Sequence, residues 1–381
     1  MNLDNYIYFD IAATTPVLPS VAKLMNEINT TYFANPSSIH QMGQKSHNLI
    51  EKSRKKISSL LNCLSSEIVF TSGGTESNNF VLLGILKKND HFITTSYEHP
   101  SILNVAKELE KKGVEVTYIK PNCDGTISQK KLEDAIKKNT KLVSIMYLNN
   151  ELGTINPINK LSEICKKHNI MFHTDAVQYI GKGKVDIKNM NIDLLSLGAH
   201  KFYGPKGIGA LIIKKGITLD PCIFGGGQEN GYRPGTESAP LIFGMTKALE
   251  ISLIDIDKNN KQITTMEKLF FNLLDTKKIK YTLNGFPRMN GFINITFHDI
   301  DGQVLLMNLD MKGFAISFGS ACSSGSAKAS NAVLAIGVNE EDAKKTVRIS
   351  IGKFIEEQHI IALANTISDI INERKKVKQY V

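Results

Sequence analysis

The chain has 381 residues, 42% of them hydrophobic and 22% charged, enough to bury a sizeable core and unlike a disordered or fibrous protein. Its net charge of +9 admits nucleic acid, a membrane surface or an acidic protein as partner. The lysines, however, come in short pairs such as Lys87-Lys88, Lys111-Lys112 and Lys166-Lys167, where helices should end, which fits a solvated basic face and predicts no direct nucleic-acid contact. The five cysteines, 63, 123, 165, 222 and 322, show no C-x-x-C spacing, and the N-terminus does not read as a signal or transit peptide. With no apolar run long enough to span a bilayer, these features predict a cytoplasmic protein with reduced thiols and no membrane contact.

In chain order, residues 67–71 (EIVFT) read as a strand and 76–88 as the helix after it. Strand 91–95 and helix 101–112 follow, then strand 114–120, helix 128–137, strand 142–148, helix 158–168 and strands 170–174, 194–198 and 208–214. Apolar strands alternating with helices imply a mostly parallel sheet covered on both faces. After about residue 246 the pattern changes to a long lysine-rich helical stretch reaching about 280, then strand 292–297, helix 303–311, strand 314–318 and a final helix near 356. The expectation is an α/β fold with a large unit at 14–250 and a smaller α+β unit formed by 1–13 and 251–381. Residues 317–330 form a Ser-, Ala- and Gly-rich stretch.

Ligands in parallel sheets sit beyond the carboxyl ends of the strands. Ser72-Gly73-Gly74-Thr75 follows the first strand and leads into a helix, an arrangement of free N–H groups that suits a phosphate. Glu98-His99, Asn149-Asn150, Asp175 with Gln178, and His200-Lys201 follow later strands. Each has a plain structural explanation alone: a cap for Asp175, a core histidine for His99, a surface lysine for Lys201. Together they supply what pyridoxal 5′-phosphate requires: a lysine for its aldehyde, a carboxylate for its ring nitrogen, a flat group to stack on the ring and donors for its phosphate.

The sequence resembles the NifS/IscS-type cysteine desulfurases, within the fold-type I, class V aminotransferase group. The resemblance runs from Tyr8-Phe9-Asp10-Ile11-Ala12-Ala13-Thr14-Thr15-Pro16 to Val347-Arg348-Ile349-Ser350-Ile351-Gly352. Between these lie the segments NPSSIH (35–40), TSGGTESN (71–78), NNELG (149–153), HTDAVQ (173–178), AHKFYGPKG (199–207), GGGQE (225–229), RPGTE (233–237) and GSAC (319–322). It implies a pyridoxal-phosphate fold with a mostly parallel seven-stranded sheet and a smaller domain carrying the cysteine loop.

It also implies roles. Lys201 would bond the coenzyme and move the substrate Cα proton. Asp175 would pair with the ring nitrogen, His99 would stack on the ring and Gln178 would bond the phenolic oxygen. Gly74, Thr75 and His200 would hold the phosphate, with Thr236 reaching in from the second subunit of a homodimer. Asn150 would contact the coenzyme and help Arg348 clamp the carboxylate of L-cysteine. Cys322, deprotonated with help from His99, would take the substrate sulfur as a persulfide, leaving alanine. A sulfur-acceptor protein, such as an iron–sulfur scaffold or a tRNA-thiolation enzyme, would receive it. No metal site is expected, and Cys63, Cys123, Cys165 and Cys222 read as inert packing residues.

Three features depart from the family pattern. Gly198 stands where many members have a phosphate-binding serine, Asn230 replaces a frequent arginine, and 327–330 reads AKAS rather than LEPS. With the chain ending at Val381, the shorter NifS-like form fits better than the housekeeping one. A class V aminotransferase has no need of a 319–322 cysteine loop, whereas a selenocysteine lyase would share every feature. A catalytically dead binding paralogue would lack Lys201, Asp175 or Cys322, and all three are present.

Overall fold

A computed structural model describes residues 6–318 and 329–379. Its twelve strands are β1 (Ile7–Tyr8), β2 (Ile68–Thr71), β3 (His91–Thr95), β4 (Glu115–Ile119), β5 (Thr140–Ser144), β6 (Met171–Asp175), β7 (Leu194–Gly198), β8 (Gly209–Ile213), β9 (Tyr281–Asn284), β10 (Phe292–Phe297), β11 (Phe314–Ala315) and β12 (Thr346–Ser350). Seven of them form the central sheet in the order β2-β8-β7-β6-β5-β3-β4. Only β8 runs against its neighbours, so β2, β3, β5, β6 and β7 all present their carboxyl ends to the same edge. Strands β2, β3, β7 and β8 are buried along their whole length, which matches their continuous apolar runs.

Two apolar cores cover the faces of this sheet. One joins Ile93, Val143, Phe172, Leu195 and Ala210 to the helices Pro19–Thr31, Gln41–Leu61 and Ala239–Ile254. The other packs Val69, Phe92, Leu142, Leu194 and Leu211 against the helices Gly74–Ile85 and Pro100–Lys111. A third core lies away from the central sheet, on the antiparallel sheet β12-β10-β9, and gathers Phe270, Ile293, Phe297, Val347 and Ile367. Phe9 belongs to this third core, and β1 pairs in parallel with β11.

The boundaries shift by a residue or more at several elements, and three differences change the reading. The lysine-rich stretch is two helices, Ala239–Ile254 and Ile256–Thr276, meeting at Asp255. The strand expected at 142–148 ends at Ser144, because the chain then turns into a loop closed by a bridge between Leu148 and Ile155. The strand expected at 314–318 is only two residues long, followed by an isolated bridge from Ser317 to Arg348. Among the described residues no helix is long and apolar enough to cross a membrane.

Candidate active site

The shared carboxyl edge opens into a cavity of about 230 Å3. Gly74 and Thr75 enter it from the end of β2, His99 from β3, and Met146, Leu148 and Asn150 from the loop after β5. Asp175 and Gln178 come from β6, His200 and Lys201 from β7, and Arg348 from β12 of the smaller sheet. Ala12 and Ala13 close one side. Of the expected residues, Thr236 does not line the cavity: it is exposed and borders a separate cleft with Asn35 and Pro36. Cys322 lies outside the described residues.

Two connections hold the reactive residues in place. Thr15 Oγ1 donates to the His200 carbonyl at 2.9 Å and accepts the Tyr203 N–H at 2.7 Å, so the N-terminal segment is laced to the turn that carries Lys201. Lys201 Nζ donates to the Ala12 and Ala13 carbonyls, both at 2.7 Å. His200 Nδ1 lies 3.1 Å from Thr14 Oγ1. Burial, followed by the charge of Lys201, pushes the His200 imidazole down to about 4.

Asp175 is 6% exposed, and it caps no helix. One oxygen accepts the Val177 N–H at 3.0 Å and the other accepts Asn78 Nδ2 at 2.7 Å. Asn78 also donates to Ser101 Oγ at 2.8 Å, and its own Oδ1 has no partner among the described residues. His99 caps the helix Pro100–Lys111, with Nδ1 accepting the Ser101 N–H at 3.1 Å. A ring nitrogen that accepts a main-chain N–H carries no proton, so the neutral ring bears its hydrogen on Nε2. Burial lowers the His99 pKa; Asp175 opposes this and Lys201 adds to it.

Glu98, just before His99, does not line the cavity. It accepts the Met146 N–H and the Thr95 hydroxyl, tying the end of β3 to the loop after β5. Burial pushes its carboxyl up to about 8.

Arg348 is 2% exposed. It donates to the Asn150 carbonyl at 2.8 Å and pairs with Asp10 at 2.7 Å, while its Nε has no partner among the described residues. A buried guanidinium at the edge of a cavity is suited to a carboxylate. Gln178 Nε2 donates to the Ala12 carbonyl at 2.6 Å, leaving Oε1 unpartnered among the described residues. At the mouth of the helix Gly74–Ile85, a Cβ on Gly74 would stand 2.4 Å from Val177 Cγ2, so only glycine brings these N–H groups so close to β6.

Asp10, Asn78 and Ser101 were not singled out from sequence. Two of them sat inside segments that had been recognised, 8–16 and 71–78, and that was the available signal. Cys165 is buried and Cys63 and Cys222 are half-buried, as packing residues should be, but Cys123 is exposed, because it sits in the turn closed by Asn122 and Gly125. The packing expectation fails there. Burial pushes the thiols of Cys63 and Cys165 up to about 12.

A buried carboxylate, a lysine at a strand end, a glycine-led helix N-terminus and unpartnered polar atoms around one cavity fit pyridoxal phosphate, and the fold and site are those of a pyridoxal-phosphate enzyme. Residues 7–363 match the aminotransferase class-V family model, and the chain belongs to that family. It is 40% identical to the cysteine desulfurase IscS of Dictyoglomus turgidum, over 98% of this chain and 96% of that relative. A solved NifS-like protein superimposes with a TM-score of 0.90 at 33% identity, covering 96% of this chain and 99% of that one. The structure of SspA in complex with cysteine gives a TM-score of 0.82 at 38% identity, covering 92% and 99%.

Proposed function

We propose that the chain is a cysteine desulfurase, converting L-cysteine to L-alanine and passing the sulfur through a Cys322 persulfide to an acceptor protein in iron–sulfur assembly or tRNA thiolation. The observation that carries this reading is the meeting of Lys201, Asp175 and Arg348 around one cavity. Pyridoxal phosphate, when bound, supplies the electron sink for charge developing at the substrate Cα.

In this reading Lys201 holds the coenzyme and, once released, moves the Cα proton. Asp175, fixed by Asn78 and Val177, pairs with the ring nitrogen. Gly74, Thr75 and His200 hold the phosphate, and Gln178 and Asn150 reach the rest of the coenzyme. Arg348, at the edge of the cavity, receives the substrate carboxylate. His99 stacks on the ring and offers Nε2–H. Accepting a proton at Nδ1 would cost its bond from Ser101, so the geometry favours hydrogen bonding and stacking over its role as base for the thiol.

Cys322 attacks the substrate sulfur, the C–S bond breaks, and cysteine plus enzyme thiol becomes alanine plus enzyme persulfide. The residues flanking 319–328 support this assignment. Ser317 exchanges main-chain bonds with Arg348 at 2.8 and 3.0 Å, and Ser330 Oγ donates to Glu151, the residue after Asn150. Both flanks are thus attached beside the cavity.

The division at about residue 250, with 1–13 joining the smaller unit, is supported by the separate core that takes in Phe9. Homodimerisation is supported by the exposed Thr236 and by the exposed apolar Phe33, Ile39 and Phe224.

The test is peptide mass mapping after brief exposure to L-cysteine, expected to place one added sulfur on the Cys322 peptide. The Cys322→Ala variant should keep the yellow colour and form no persulfide. Because Cys123 is exposed, its peptide is the internal control. Sulfur on any peptide other than that of Cys322, or normal turnover by the alanine variant, would refute the assignment.

A further inference from the structure

Two residues that do not line the cavity, Glu76 and Arg233, fasten the loop that leads into its phosphate end. Glu76 stands in the first turn of the helix Gly74–Ile85. One of its carboxylate oxygens accepts the Ser72 N–H at 2.7 Å and so draws the loop back onto the helix. The other accepts Arg233 Nε at 3.0 Å. One turn further along, the Phe80 ring meets the Tyr232 ring edge-on, with centroids 6.1 Å apart. Residues 76 and 80 share a helix face, so the segment 232–233 docks along it. The Glu76 side chain is 15% exposed and that of Arg233 30%, which shields the pair partly from salt.

A carboxylate in the first turn is favourable by itself, because it meets the positive end of the helix dipole. Gly74 and Thr75 line the cavity, so a phosphate held on their N–H groups would lie within about one helical turn of the Glu76 carboxylate. Two anions would then compete for one partial positive charge and repel each other. A neutral amide at position 76 would remove the repulsion, but it is a weaker acceptor for the Ser72 N–H. The Arg233 guanidinium meets both needs: it cancels the charge of the carboxylate and leaves the bond to the loop in place.

We propose that Arg233 is a positioning residue for the coenzyme phosphate: it neutralises Glu76, so that a carboxylate can pin the phosphate loop without repelling the phosphate. The proposal rests on the reading of Gly74 and Thr75 as the phosphate cradle.

The experiment uses the full chain freed of coenzyme with hydroxylamine and then dialysed. Return of the visible band gives the dissociation constant of pyridoxal phosphate and, separately, of pyridoxal, which carries the aldehyde but no phosphate. Arg233→Met should weaken pyridoxal phosphate about tenfold and leave pyridoxal within about twofold. Glu76→Gln should bind pyridoxal phosphate at least as tightly as the wild type. Arg233→Met combined with Glu76→Gln removes both charges and should return to within about threefold of the wild type. Arg233→Lys, which keeps the charge, should stay within the same range.

Equal weakening of pyridoxal and pyridoxal phosphate by Arg233→Met would mean that the residue only fastens the loop, and would overturn the proposal. An unchanged constant for both would do the same. So would a double variant no tighter than Arg233→Met alone, the result expected if Arg233 met the phosphate itself. If Arg233→Met does not fold, Glu76→Gln decides: a loss of pyridoxal phosphate affinity of about tenfold would show a carboxylate that serves the phosphate rather than opposing it, and would overturn the proposal as well. A wild type that bound pyridoxal as tightly as pyridoxal phosphate would instead refute the phosphate cradle on which the proposal rests.

Discussion

Gly198 has extended backbone angles, φ −141° and ψ 127°, that any residue can adopt. A Cβ there would meet the Gly74 nitrogen at 3.5 Å and Val177 at 3.6 Å, ordinary contact distances. The family's serine would therefore fit, and its hydroxyl would stand beside the N-terminus of the helix Gly74–Ile85. Gly198→Ser should leave the fold intact and slow coenzyme loss about tenfold or more, since one hydrogen bond to a charged group contributes roughly 1.5–3 kcal/mol. Dialysis against coenzyme-free buffer, followed by the visible band, measures it; equal rates would remove Gly198 from the phosphate site. Asp10 makes a second residue-scale case. It holds one arm of Arg348, so Asp10→Asn should raise the KM for L-cysteine about tenfold, roughly 1.4 kcal/mol, with little change in kcat. A fall in kcat at constant KM would place Asp10 in the chemistry instead.

At the scale of elements, the loop containing Glu229 is fastened to the sheet by one ion pair. Arg54, on the helix Gln41–Leu61, meets both Glu229 oxygens at 2.7 and 2.8 Å, donates to the Ile68 carbonyl and lies over the Phe70 ring. Glu229 also accepts the Phe70 N–H, and its side chain is 2% exposed. Arg54→Met leaves that carboxylate buried and unpaired, a loss of about 3–5 kcal/mol, and Arg54→Met with Glu229→Leu should recover much of it. Urea denaturation of the single and double variants checks both figures. The same loop explains Asn230: its φ is 58°, a left-handed angle that asparagine tolerates better than arginine. The elements readable from sequence were mostly those with apolar runs, β2 through β8 with the helices between them and, in the smaller unit, β10 and the helix Gly302–Met311. The helix Gln41–Leu61 escaped because its buried face is built partly from Gly43, Ser46, Ser53 and Ser58, small residues that do not read as a core stripe. Gly43 is needed there, since a Cβ would stand 2.5 Å from the Ser38 carbonyl oxygen. Strand β12 escaped as an element because a buried arginine interrupts it. The site shows the same divide. Asp175, His200 and Lys201 are legible because each ends a strand; Asp10 and Asn78 are not, because their parts depend on hydrogen bonds between distant segments.

Across the whole molecule, buried titratable groups set how stability follows pH. His173, buried in the central sheet between Ser144 and Ser196, is pushed down to about 3 by desolvation, and His200 to about 4. An unfolded chain binds these protons near pH 6.5, whereas the folded one refuses them until far lower. Their contribution is therefore complete above pH 6.5 and lost as pH falls toward 4, with a slope of at most about 1.4 kcal/mol per pH unit for each histidine. Two further groups pull in opposite directions. Glu98, raised to about 8, contributes stability that is complete below about pH 4.5 and lost as pH rises toward 8; Lys182, lowered to about 7, contributes stability that is lost as pH falls from 10.5 toward 7. Their slopes largely cancel between pH 7 and 8, and between pH 6.5 and 4.5 Glu98 offsets about one of the two histidines, leaving a net loss toward acid of about one proton's slope. Chemical denaturation at intervals from pH 7.5 to 4.5 should show that loss, and His173→Asn, though less stable at pH 7.5, should show an acid slope shallower by about one proton. Equal acid slopes for wild type and variant would mean that His173 is charged inside the fold, and the strand pairing of β5, β6 and β7 around it would then need a counter-ion that the two serines do not supply.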